Sequence, residues 1–221
     1  MYKIIRNCQL QGGLAIACGD AGIGKTQACR QYYREHGTNC TYITVNPCIK
    51  SSKSVLELIG SKLNVSSGSV SRLWLEISSK LSDGMVIIVD EAQHLTRNAI
   101  DTLRSLCDCF DEKGQTLGIC FVGNETTVSR LGGKQKAEFA QIRNRTKNTR
   151  FYSVKQIKKS DIEMLFPDIR EDTTAVEFLL CIAQSPQAIR GAVNLYSNAL
   201  DNGNVTAKGL SAIAKYMDMA V

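Results

Sequence analysis

The stretch Gly19-Asp20-Ala21-Gly22-Ile23-Gly24-Lys25-Thr26 has the spacing G-x-x-x-x-G-K-T, and the rest of the chain is read from it. It follows an apolar run at residues 13–18 and opens a segment with helical spacing at residues 26–36. A strand before and a helix after is the context a phosphate-binding loop requires. Glycines let backbone N–H groups curl around phosphate oxygens, and the helix N-terminus adds partial positive charge. Lys25 then reaches the β- and γ-phosphates, and Thr26 offers its hydroxyl to Mg²⁺. An ATP·Mg²⁺ site is expected over Gly19 to Thr26, with Gln27 as the next nucleotide-binding position.

Outward from this loop, runs at 13–18, 40–45, 85–90, 117–122 and 149–154 are short, rich in Val, Ile and Phe, and bounded by polar residues or glycine. They read as five buried strands. Segments with helical spacing lie between them at 26–36, 55–63, 69–81 and 99–110. Strands alternating with helices imply a parallel sheet covered on both faces. After residue 154 the strand signal stops and helical patterns follow at 160–166, 173–184, 186–200 and 205–219. Pro186 is expected in the first turn of its helix, and Asn202-Gly203 in the turn before the last one. The expected architecture is an α/β nucleotide-binding core at 1–154, with a five-stranded parallel sheet, and a small all-helical lid at 155–221.

Composition narrows the function classes. At 221 residues there is room for one such core and a small helical domain, but not for the tandem cores of a helicase motor. With 43% apolar and 22% charged residues the chain can fill a core. No run approaches the roughly 20 apolar residues of a membrane span, and residues 1–7 lack the apolar run of a signal peptide, so a cytoplasmic protein is expected. The nine cysteines include no C-x-x-C pair and several fall in strand-like runs, which suits reduced, buried thiols. The net charge of +6 is concentrated before residue 155, where Arg130, Lys134, Lys136, Arg143, Arg145, Lys147 and Arg150 face only Glu138 in their stretch. Such a stretch suits a polyanion, or else a solvated helix face.

The run Met85-Val86-Ile87-Ile88-Val89-Asp90-Glu91 ends an apolar strand in two carboxylates. Asp90 can hold the magnesium shell while Glu91 polarises the attacking water. Asn124 follows the next strand, where its amide can meet a γ-phosphate or simply form a turn after Gly123. Arg143 and Arg145 precede the fifth strand, where a guanidinium can reach a neighbouring subunit's nucleotide as an arginine finger does.

The order of phosphate loop, Asp90-Glu91-Ala92-Gln93-His94-Leu95, strand-end Asn124, Arg145 and helical lid resembles the AAA+ ATPases, and among them the DNA transposition ATPases of the bacteriophage Mu B type. The resemblance runs from about Tyr2 to Met219. It implies ATP-dependent assembly of a ring or helical homo-oligomer on double-stranded DNA without sequence preference. It further implies delivery of that DNA to a transposase, with ATP hydrolysis driving disassembly. It assigns Lys25, Thr26, Asp90 and Glu91 to ATP·Mg²⁺, Asn124 to sensing the γ-phosphate, and Arg145 to a finger acting in trans, with Arg143 as the weaker candidate.

Two departures from the family pattern stand out. The lid reads Ser185-Pro186-Gln187 where an arginine often follows a Gly-Asn-Pro-like turn, which leaves Arg190 as a substitute. Relatives of the Mu type also carry an extra N-terminal DNA-binding domain, whereas this sequence reaches its loop by Gly19, so DNA contact is expected from the core. Lys50 and Lys53 are the first candidates there, with Lys134 and Lys136 as a second patch; the competing reading is a helix start capped by Ser51 or Ser52. Trp74 is expected in the core, His94 at a partly exposed helix start, and Cys107 and Cys109 diverging on a helix. Two other functions compatible with the same core are a helicase loader and a nucleotide-gated regulatory switch without DNA binding.

Overall fold

The computed structural model describes residues 1–127 and 145–219. Strands β1 (Gly13–Gly19), β2 (Cys40–Thr44), β3 (Met85–Asp90), β4 (Leu117–Gly123) and β5 (Thr146–Tyr152) form one sheet in the order β2-β3-β4-β1-β5. The β1–β4, β2–β3 and β3–β4 pairs are parallel. Thr44 lies opposite Asp90, Val89 opposite Phe121, and Cys18 opposite Gly123, so the carboxyl ends of β1, β3 and β4 share one edge. Ligands of such sheets bind beyond that edge.

Helix α1 (Tyr2–Gln11) precedes β1, and α2 (Lys25–Glu35), α3 (Ser52–Lys62), α4 (Val70–Lys80) and α5 (Arg97–Asp111) run between the strands. Alternation along the strands sends Leu14, Ile16, Ile43, Ile87, Val89, Ile119 and Phe121 into one core with Leu56, Ile59, Leu73, Leu103 and Leu106 from α3, α4 and α5. Helix α1 is absent from the sequence-based expectation. Its apolar signal is Ile4, Ile5 and Cys8, which with Gln9 form one buried stripe on an otherwise exposed helix, ended by Gly12 at φ 64°. It packs so close to β4 that a Cβ on Gly118 would lie 2.4 Å from the Cys8 carbonyl oxygen.

The described residues form two compact units: Met1–Gly19 with Lys25–Phe151, and Asp20–Gly24 with the chain from Tyr152 onward. The expected division placed the whole phosphate loop in the first. In the second unit, α6 (Lys159–Leu165), α7 (Thr173–Gln184), α8 (Ala188–Asp201) and α9 (Ala207–Tyr216) bury Ile162, Val176, Leu179, Ile182, Leu195 and Leu210 together. Pro186 precedes α8 instead of sitting in its first turn. Ser185 Oγ accepts the Gln187 N–H at 3.2 Å, and Ala188 takes a φ of 56°, so the helix cannot extend back to the proline. β5 starts three residues earlier than expected, as a half-exposed edge strand whose polar alternation hides it from an apolar-run search. No helix among the described residues is long and apolar enough to cross a membrane.

Candidate nucleotide site

In the first unit, β1 ends on Gly19 and α2 opens on Lys25, whose Nζ donates to the Gly19 carbonyl at 2.8 Å. One residue on, Thr26 Oγ1 donates to Asp90 Oδ2 at 2.8 Å. Asp90 closes β3 at 1% exposure, so its oxygens depend on protein donors. Oδ2 also accepts from the Tyr42 hydroxyl at 3.0 Å, and Oδ1 accepts from the backbone N–H of Glu91 at 3.0 Å. Tyr42 is in turn met by Thr44 Oγ1 at 3.1 Å. Burial, and secondarily the Asp90 carboxylate, push the Tyr42 pKa up, which keeps the phenol a donor.

Glu91 adopts φ 59° and ψ 31°, a left-handed conformation that costs a non-glycine residue of order 1 kcal/mol. The turn Ala92–His94 follows, with Ala92 and Leu95 buried beneath it. Gln93 Nε2 donates to Glu91 Oε2, and Gln93 Oε1 accepts the backbone N–H of Asn124 at 3.3 Å. Asn124 is exposed at the end of β4; its Oδ1 accepts from Thr126 N–H at 3.0 Å, so the turn-forming use is present. Its Nδ2 donors are the groups a phosphate could use.

In the second unit, the loop tip is tied to the helical chain. Asp20 N–H donates to the Tyr152 carbonyl at 3.0 Å, and Asp20 Oδ2 accepts from Ser153 Oγ at 3.0 Å and Val154 N–H at 2.8 Å. Gly22, at φ 75°, accepts the Arg190 N–H at 3.1 Å, and a Cβ there would meet Ala188 and Arg190 at 3.2 and 3.3 Å. Ile23 packs against the helical core. The carbon a side chain would place on Gly24 meets nothing within 4 Å, so that position faces open space. Ala21 and Gln27 are exposed.

Arg145 stands at the start of β5, beside Gly13 at the opposite edge of the sheet. Its Nε lies 2.9 Å from Asp108 Oδ1 and its Nη1 3.1 Å from Asp111 Oδ2. The structure therefore pairs it with acids of α5 and not with Asp90 or Glu91 of its own chain. Arg143, Lys134 and Lys136 lie outside the described residues. Lys50 is exposed, with its carbonyl accepting from Thr96 N–H at 3.0 Å. Lys53 is in the first turn of α3, 3.8 Å from Glu57. Ser51 caps that helix, accepting the Ser54 N–H at 3.2 Å. Trp74 packs on the core and donates to Ser105 Oγ at 2.9 Å; His94 is half-buried; Cys107 is buried and Cys109 half-buried.

Sequence reasoning gave no role to Tyr42 or Gln93. Gln93 was already in the quoted run after Asp90-Glu91, and a polar Tyr two residues before the end of an apolar strand is the weaker signal.

Comparison with known proteins extends these observations. The AAA domain family matches residues 8–131. The ATP-dependent target DNA activator B of Escherichia phage Mu is 30% identical over 217 residues, covering 95% of this chain and 65% of that protein. The Mu-like prophage FluMu DNA transposition protein B of Haemophilus influenzae is 28% identical over 207 residues, covering 89% of this chain and 68% of that one. The chain thus spans about two thirds of the length of these relatives. Among solved structures, the Aeropyrum pernix ORC1 protein in complex with DNA superposes with a TM-score of 0.62 at 15% identity, covering 98% of this chain and 63% of that one. The Thermotoga maritima RuvB Holliday junction branch migration motor gives 0.57 at 17%, covering 97% and 66%. At those identities the likeness is one of fold. The chain belongs to the AAA domain family.

Proposed function

We propose that this protein is an ATPase that assembles as a homo-oligomer on double-stranded DNA when ATP is bound. It presents that DNA as a target to a transposase, and hydrolyses ATP to disassemble, all in the cytoplasm. The observation that carries the ATPase part is the bond from Thr26, beside Lys25 in the first turn of α2, to Asp90, with Glu91 and Asn124 following the ends of the adjacent strands β3 and β4. Similarity to the phage Mu target DNA activator along 95% of the chain supports the DNA and transposase parts.

In this reading the backbone of Asp20 to Gly24 and the Lys25 ammonium bind the ATP phosphates, and residues 155–221 act as the lid. The Thr26 hydroxyl and Asp90 carboxylate are hard oxygen donors 2.8 Å apart, a fit for an ion that keeps several of its waters. Mg²⁺ held there would neutralise charge on the phosphates. Glu91 accepts the proton of the attacking water, Asn124 donates to the γ-phosphate, and Arg145 of one subunit stabilises charge at its neighbour's site. Lys50 and Lys53 contact DNA phosphates. A lysine in the first turn of a helix opposes the positive end of the helix dipole, and an anionic partner relieves that opposition.

The test is ATP turnover against protein concentration, with and without a random duplex, for the natural chain and a Lys50→Glu, Lys53→Glu variant. Turnover per subunit should rise with both concentration and DNA, and the variant should lose the DNA response. A turnover indifferent to concentration and DNA would overturn the proposal.

A further inference from the structure

We infer that Gln93 is a positioning residue for hydrolysis: its carboxamide ties the Glu91 carboxylate to the backbone of Asn124, so that base and phosphate sensor are held as one unit. The inference rests on the reading of Glu91 as the base.

Three observations carry it. The orientation of the Gln93 amide is dictated by its partners. Nε2 faces a carboxylate that can only accept, and Oε1 faces a backbone N–H that can only donate, so the flipped amide would set two mismatched pairs against each other. Second, the position is built. Gln93 sits in a turn pinned by buried Ala92 and Leu95 and closed by the His94 N–H to the Glu91 carbonyl at 3.0 Å. Gly123 leaves the room: a Cβ there would come within 2.4 Å of Gln93 Oε1. Third, the chemistry suits a base. Glu91 leaves the strand in a left-handed conformation with a flexible side chain. A neutral amide bonded to Oε2 restricts that side chain and leaves Oε1 for the water's proton. Because the other end of the amide is bonded to Asn124, a movement of the β4 end toward a phosphate is transmitted to Glu91 through one side chain.

The experiment uses the full chain with duplex DNA and compares Gln93→Met, Gln93→Ala, Glu91→Gln and the Glu91→Gln/Gln93→Met double variant. Met keeps the length of Gln93 and removes its hydrogen bonds, while Ala also removes packing. Steady-state ATP hydrolysis, affinity for a fluorescent ATP analogue and thermal melting are measured for each. Gln93→Met should lower kcat about 10- to 100-fold, the loss expected for a slightly misplaced reacting group, with KM and analogue affinity within about twofold of the natural chain. Gln93→Ala should behave alike. The double variant should be slower than Glu91→Gln by less than the full Gln93→Met factor, because the effect of Gln93 runs mainly through that carboxylate. An unchanged kcat in Gln93→Met, a loss confined to KM or analogue affinity, or a double variant slower than Glu91→Gln by the full Gln93→Met factor would each overturn the inference. Hydrolysis by Glu91→Gln at the natural rate would instead overturn the assignment of the base, a result separable from all of these.

Discussion

Asp90 and Glu91 are the same kind of acid one bond apart, and the fold gives them opposite surroundings. Asp90 is buried and accepts from Thr26, Tyr42 and the Glu91 N–H; Glu91 turns off the strand in a left-handed conformation and is only partly covered. One is held by protein donors and the other is left partly open, which fits the roles proposed for them. Lys25→Ala should therefore abolish ATP binding, measured by titration with a fluorescent ATP analogue. Glu91→Gln should retain that binding and slow hydrolysis by about 10²- to 10⁴-fold, the range for loss of a general base. Normal analogue affinity in Lys25→Ala would contradict the role of the loop. The places of Lys25, Thr26, Asp90 and Glu91 were legible in the sequence because each depends on position within a local strand-to-turn pattern. Tyr42 was not, because its partner lies across a strand pair and the Thr44–Asp90 register cannot be read from either strand alone.

At the scale of elements, the central strands were legible with ends shifted by a residue or so, since β1, β3 and β4 are apolar but for Asp90 at the end of β3, and buried on both faces. Helix α1 was missed because its apolar stripe is short and its outer face polar. Its packing on β4 gives a specific expectation. Gly118→Ala places a methyl 2.4 Å from the Cys8 carbonyl oxygen, a backbone atom that can move only with the helix. The variant should lose about 1–3 kcal/mol of stability in urea unfolding, as overpacking does. Stability equal to the natural chain would mean that α1 is not held against β4. The fifth strand was placed late for a related reason: an edge strand keeps a polar face, and a search for continuous apolar runs finds only part of it.

At the scale of the whole molecule, the role proposed for Arg145 is one that a single chain cannot complete. Its place before the fifth strand makes it a candidate, but its pairing with Asp108 and Asp111 was invisible, because those acids belong to α5 and meet it only in the folded unit. With about half of its side chain exposed, that pairing contributes little to stability. Arg145→Ala should therefore melt like the natural chain and yet lose hydrolysis, by up to about 10³-fold if it serves as a finger. Mixing it with Lys25→Ala subunits, which bind no ATP and keep their arginine, should restore part of the activity; no recovery at any ratio would argue against a role in trans.

The central claim is assembly on DNA governed by the nucleotide. Sedimentation velocity of the purified protein with a random DNA duplex, in ATP, in a slowly hydrolysed ATP analogue and in ADP, tests it most directly. Large DNA-bound species that need both DNA and a triphosphate, and that are absent in ADP, are the predicted result. A protein that binds ATP yet sediments as the same small species with and without DNA would contradict the account.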